Sequence, residues 1–136
     1  MKRGDVVLVV VPGELGRPRP GVVVQADEVT KELSAIFICP ISSDVQENLP
    51  LRPIIEAEPL TGLRLRSQIM TDKMIALRHD RVRRVIGHIN PATSEHLDRA
   101  LLVVRGITDL PAHANVQSAR LLEYAIRKGM SWQRMK

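Results

Sequence analysis

Three short polar stretches interrupt an otherwise apolar chain, and each holds side chains able to act on an anion. The first, GELGRPRP, carries Glu14, Arg17 and Arg19. Proline has a fixed φ and no N–H, and glycine tolerates unusual dihedrals, so this stretch predicts a shaped loop that holds Arg19 at the mouth of the following strand. A guanidinium there is a permanently charged fork matched to phosphate or carboxylate geometry, although the same residue can be plain surface charge. The second stretch, CPISSD, sets Ser42, Ser43 and Asp44 just past an apolar run. The third, RLRSQIMTDK, carries Arg64, Arg66, Ser67, Gln68, Asp72 and Lys73. In a curled sheet three such stretches can meet in one groove; singly, each also fits a solvated turn.

Other chemistries find little support. His79, His88, His96 and His113 show no spacing that gathers them with Cys39 around a metal. Walker, Rossmann and G-x-S-x-G signatures are missing, so neither metal nor cofactor is expected. Cys39, alone in an apolar run, cannot form an intramolecular disulfide and reads as a small buried hydrophobe.

The elements that must position these clusters follow from hydrophobic period. A length of 136 residues predicts one main body. Six β-branched runs bounded by turn residues predict strands at 5–11, 21–26, 35–41, 52–58, 67–77 and 83–89. The connections are of hairpin length, too short for helical crossovers, which predicts an antiparallel sheet curling into a small, partly open barrel. Several strands are continuously apolar, so both of their faces should be covered. The period then changes: Leu97, Ala100, Leu101, Val104 and Ile107 share a helical face, with Asn90 as N-cap, Pro91 at the first position and Gly106 ending the helix. A second helical stretch, 115–129, places Leu121, Leu122 and Ala125 on one side, and Leu121, Leu122 and Tyr124 are expected to pack or to make oligomer contacts. The fold class expected is mainly β with terminal helices.

The chain carries a net charge of +5, unevenly: residues 1–76 hold 9 basic and 10 acidic side chains and residues 77–136 hold 11 and 5, so the excess lies in the second part. A basic balance fits a polyanionic partner. With Phe37, Tyr124 and Trp132 as the only aromatics, a base-stacking platform of the RRM or OB kind is disfavoured, and phosphates and polar edges must supply the contacts. No apolar run is long enough to span a membrane, and VVLVVV beside Asp5 is too short for a signal peptide, so a cytoplasmic protein with no membrane partner is expected.

Taken in order, KRGDVVLVVVPGELGRPRPGVVVQ, CPISSDV, SQIMTDKMIAL and RVIGHINPATSEHLDRALLVVRGI resemble the MazF/PemK family of toxin ribonucleases, across residues 2 to 108. The resemblance implies an SH3-like antiparallel barrel over 1–108, with 109–136 as an additional helical extension. It implies a homodimer, single-stranded RNA in a groove, metal-independent cleavage and inhibition by a cognate antitoxin. It also implies site residues. Arg19 matches the family's arginine before proline, Ser42 stands where a threonine is usual, Glu14 matches an acid five residues earlier and Asp72 matches the acid of the fifth strand; these are the catalytic candidates. Met70 occupies a position that is arginine in some members, and Arg17, Ser43, Arg66, Gln68 and Lys73 are the candidates for holding substrate. In such cleavage the RNA's own 2′-hydroxyl attacks, leaving a 2′,3′-cyclic phosphate and a 5′-hydroxyl. Arg19 and Ser42 suit the phosphoryl oxygens, while the base must be a carboxylate, with Asp72 and Glu14 as candidates, or water. Two other expectations stand beside this one: a CcdB-like toxin that binds DNA gyrase without cutting, and a barrel that binds without catalysis. GRPRP together with CPISSD speaks against the former, which needs no phosphate clamp.

Overall fold

The structure, a computed structural model, describes residues 1–106; the expected helix at 115–129 and the extension from 109 lie outside the described residues. Two apolar runs open it as β1, Asp5–Val10, and β2, Pro18–Val23. After a short helix α1, Asp27–Glu32, come β3, Ala35–Ser42, and β4, Ile54–Ile55. Then follow β5, Ser67–Ile69, a 3-10 turn at Thr71–Lys73, β6, Ile75–Arg78, a second 3-10 turn at His79–Arg81, and β7, Val82–His88. Helix α2, Pro91–Val104, completes the described chain.

The strands make one curled antiparallel sheet in the order β4-β5-β3-β2-β1-β7, with β6 on β3. Strand β2 begins on prolines because β3 pairs with it only from Gly21 onward, so over Pro18–Pro20 one edge has no ladder to lose. Consecutive side chains point to opposite faces, and both faces are packed. Val6, Val22, Cys39, Ile41, Ile55, Ile69, Ile89 and Leu97 form a core on the α2 side. Val7, Val9, Val23, Ile36, Ile38 and Leu77 form a second core on the other face. The mainly β fold with a packed helix is thus as the hydrophobic pattern requires.

Several boundaries differ. The run 67–77 is not one strand: the buried Thr71 hydroxyl donates to the Leu51 carbonyl and Lys73 N–H to Met70 O (3.1 Å), bending the chain between β5 and β6. The expected strand at 52–58 pairs only at Ile54 and Ile55. Helix α1 is additional. In α2 the Asn90 cap is present, Thr93 N–H donating to Asn90 Oδ1 at 2.8 Å, and Gly106 follows with φ +73. Its buried face is Leu97, Ala100, Leu102 and Val103, whereas Val104, expected inside, is 37% exposed. Ile107 lies outside the described residues.

One glycine pair sets how tightly β7 is held. The 58–62 turn crosses β7 so closely that a Cβ on Gly62, at φ +71, would lie 2.1 Å from Ile86 O, and one on Gly87 would lie 2.3 Å from the Thr61 carbonyl. His88 N–H donates to Leu60 O (2.8 Å) across the same crossing.

Candidate active site

A cleft of about 570 Å³ opens at one end of the sheet, and Glu14, Arg19, Ser42, Ser43, Arg64 and Lys73 line it. Its floor is apolar, with Val9, Val11, Ile41 and Ile75. Arg19 is the second residue of β2, directly across from Val9, so the ladder fixes its backbone. Its Nε lies 3.5 Å from Glu14 Oε2, with both side chains about half exposed, so the pair is weakly coupled and either partner can turn to a ligand. Glu14 is set by a turn: its N–H donates to Val11 O (3.2 Å) and its carbonyl accepts from Arg17 N–H (3.3 Å). The same loop holds Gly13, Leu15 and Gly16 at positive φ, a conformation a leucine adopts only at a cost in backbone strain.

Ser42 is the last residue of β3. Its Oγ accepts from Asp44 N–H at 3.1 Å, which fixes the oxygen and leaves the hydroxyl proton for a ligand. Ser43, Met70 and Lys73 of the 3-10 turn also line the cleft.

Four sequence-derived candidates are elsewhere. Asp72 is engaged by Arg52, whose Nε and terminal nitrogen both reach the carboxylate at 2.8 Å. That side-chain hydrogen bond holds its carboxyl below the usual carboxylate range, with the charges of Arg52 and Lys73 adding to it. Gln68 is buried: its Oε1 accepts from Gln46 N–H and its Nε2 donates to Gln46 O, both at 3.0 Å, and to Arg52 O at 3.4 Å, so it pins the segment following β3. Arg66 pairs with Glu56 at 3.2 Å, and Arg66 and Gln68 line a separate depression of about 430 Å³ beside His96 on α2. Arg17, the residue before β2, is exposed and does not line the cleft. Arg64 lines the cleft although its cluster alone gave no role for it, and Arg52 gave no signal at all, because its partner lies 20 residues away.

His88 bonds Asp5 (2.8 Å) and His79 bonds Leu33 O (3.1 Å), both away from the cleft, and among the described residues no three His, Cys, Asp or Glu side chains cluster in a metal-binding arrangement. Burial, with Asp72's charge adding, pushes the Cys39 thiol up to about 12, against a smaller lowering by Arg3.

A curled antiparallel half-barrel backed by a helix is the fold of known small toxins. Residues 2–104 match the family described as PemK-like, MazF-like toxin of type II toxin-antitoxin system, and the chain belongs to that family. It is 33% identical over 108 residues to a probable endoribonuclease MazF of Mycolicibacterium smegmatis, covering 79% of this chain and 98% of that protein. In fold it is similar to the Mycobacterium tuberculosis toxin MazF-mt6, with a TM-score of 0.65 at 18% identity, covering 75% of this chain and 96% of that one. It is likewise similar to MazF in a MazE-MazF structure from Deinococcus radiodurans, with a TM-score of 0.65 at 17% identity over 78% and 95% of the two chains.

Proposed function

We propose that this protein is an endoribonuclease toxin that cleaves single-stranded RNA without a metal and is restrained by a cognate antitoxin. The observation that carries the proposal is the shared cleft: Glu14 and Arg19 from the loop and strand after β1, and Ser42 from the end of β3, line one open space of about 570 Å³. The cleft's residues match the tasks of the reaction. Arg19 offers its fork to the non-bridging phosphoryl oxygens, and Ser42 Oγ–H donates to one of them, stabilising charge that grows in the transition state. Glu14 accepts the proton of the 2′-hydroxyl as its oxygen bonds to phosphorus. The bond from phosphorus to the 5′ oxygen breaks, and that oxygen takes a proton from water in the open cleft. The products are a 2′,3′-cyclic phosphate and a 5′-hydroxyl. Lys73, Arg64 and Ser43 hold the neighbouring phosphates. Asp72, clasped by Arg52, is here a positioning residue and not the base.

The family's place in toxin-antitoxin systems supports an antitoxin partner, and the solved relatives include an endoribonuclease in complex with its cognate antitoxin from a mycobacterial species. The protein is proposed to work in the cytoplasm, as a homodimer, through residues 1–108. Among the described residues no helix is long and apolar enough to cross a membrane.

Incubation with a long single-stranded RNA in excess EDTA tests the function. Discrete fragments with 5′-hydroxyl ends are expected. Intact RNA, or fragments only when divalent metal is added, would overturn the proposal and return attention to a toxin that binds without cutting.

A further inference from the structure

Outside the cleft, the run RHDRVRR at residues 78–84 sets Arg78, Arg81, Arg83 and Arg84 against one acid, Asp80. Asp80 pairs with Arg78 at 2.9 Å. Among the described residues no carboxylate lies within ion-pair distance of Arg81, Arg83 or Arg84. Edge strands carry charge to discourage unwanted strand pairing, but one charge suffices for that, and here three unpaired arginines crowd the start of β7.

Their placement relative to the cleft is specific. Val9, on the cleft floor, faces Arg19 on β2 on one side and Val82 on β7 on the other. Val82 packs in the same apolar cluster as Val11 and Ile75, which also line the cleft. Val82 does not itself line the cleft but packs in the apolar cluster beneath it, and Arg81 and Arg83 flank Val82 in sequence. Two inter-strand steps put Val82's backbone about 10 Å from that of Arg19, roughly three stacked nucleotides. Register slips at this point: Leu8 faces Arg84 and Val9 faces Val82, leaving Arg83 as an extra residue, and such bulges re-aim side chains. The far end of β7 is covered by the 58–62 turn, whereas Arg83 and Arg84 are exposed and no strand pairs with their outer edge among the described residues.

We infer that Arg81, Arg83 and Arg84 form a second phosphate track, which holds the backbone of the single-stranded RNA a few nucleotides from the phosphate at Arg19. The inference rests on the nuclease proposal for the identity of the strand. The run holds no Phe, Tyr or Trp, and its one ring, His79, is bonded to Leu33 O (3.1 Å), so the track grips charge and carries no base preference.

The test uses the full chain and a twelve-nucleotide 2′-O-methyl RNA, which lacks the attacking hydroxyl, so binding is read whether or not the protein cuts. Its Kd is followed by fluorescence anisotropy between 50 and 200 mM salt for the parent and for the double variant Arg83→Gln, Arg84→Gln. Each lost phosphate contact lowers the log–log salt slope by about 0.7, so the double variant's slope is shallower by about 1.4. Over that fourfold salt range the parent then loses roughly sevenfold more affinity than the variant. Shortening the RNA to four nucleotides removes a comparable increment from the parent, and Arg83→Lys, Arg84→Lys retains the parent's slope. An unchanged slope in the glutamine variant overturns the inference. So does a variant that loses binding to polyglutamate but keeps the RNA slope, which would mark the track as a seat for an acidic protein. A parent that leaves ordinary RNA intact while its slope responds as described would sink the nuclease proposal and leave the track standing.

Discussion

Replacing Asp72 with asparagine preserves the side chain's shape and removes the charge that Arg52 holds through two 2.8 Å hydrogen bonds. Bonds of this kind contribute about 1.5–3 kcal/mol each when well sheltered. Here Asp72's side chain is 50% exposed while Arg52's is only 11% exposed, so solvent screens one partner and the loss is put at about 2 kcal/mol for the pair. For a chain of this size that is a fall in melting temperature of roughly 8 °C. The pH dependence has a definite sign. Arg52 lowers the folded-state pKa of Asp72, so the stabilisation is fully present above the ordinary carboxylate range and is lost as pH falls through the folded value. The gap between parent and Asp72→Asn should therefore be full at pH 7 and shrink steadily below about pH 4. Thermal melts of the parent, Asp72→Asn, Arg52→Gln and the double variant give the coupling energy. A coupling under about 0.5 kcal/mol at pH 7, within the additivity expected of independent sites, or a gap indifferent to pH would refute the clasp. Single-turnover cleavage adds a second check, because loss of a general base costs about 10²- to 10⁴-fold and a displaced support costs less. A thousandfold loss in Asp72→Asn would return Asp72 to the chemistry.

Three further outcomes follow. Glu14→Gln should lower single-turnover cleavage by about 10²-fold or more with an unchanged melting temperature, and activity within threefold of the parent would remove Glu14 from the base role. Gly87→Ala forces a methyl group into the Thr61 backbone and should destabilise by about 3 kcal/mol in urea titration, whereas Gly106→Ala, with open space around its Cβ position, should lose only the smaller penalty of its positive φ. Cys39, fully buried and with its thiol pushed up to about 12, should resist iodoacetamide at pH 8 until denaturant is added, and rapid labelling of the native protein would contradict its place in the core.

Much of this architecture could be read from local pattern, and the exceptions share a cause. Strands β1, β3 and β7 announce themselves as β-branched runs, and Asn90, Pro91 and Gly106 bracket α2 by chemistry that acts within a few residues. The break between β5 and β6 was hidden because Ile69, Met70, Met74 and Ile75 keep an apolar pattern across it; what bends the chain is Thr71 bonding Leu51, 20 residues distant. Helix α1 buries no residue, so it lacks the apolar stripe that marks a helix, and only Asp27, Glu28 and Lys31 at its ends hint at it. In α2 the run Leu101–Val104 is apolar on every side, so periodicity could not decide which face turns inward. The cleft was legible in part. Proline and glycine around Arg19 signalled a fixed loop, and Ser42 signalled a strand end, but the removal of Asp72 and Gln68 to supporting positions depends on Arg52 and Gln46, partners that only the folded chain brings near.

The claim on which the account rests is that Arg19 and Ser42 act together on one phosphodiester. Its most direct test is single-turnover cleavage of an RNA carrying one cut site by the parent, Arg19→Ala, Ser42→Ala and the double variant. The account predicts a loss of about 10²- to 10³-fold for each single change, and a double variant that falls well short of the product of the two losses, as residues serving one transition state do. Cleavage by Arg19→Ala at the parent's rate, or losses that multiply fully, would contradict it.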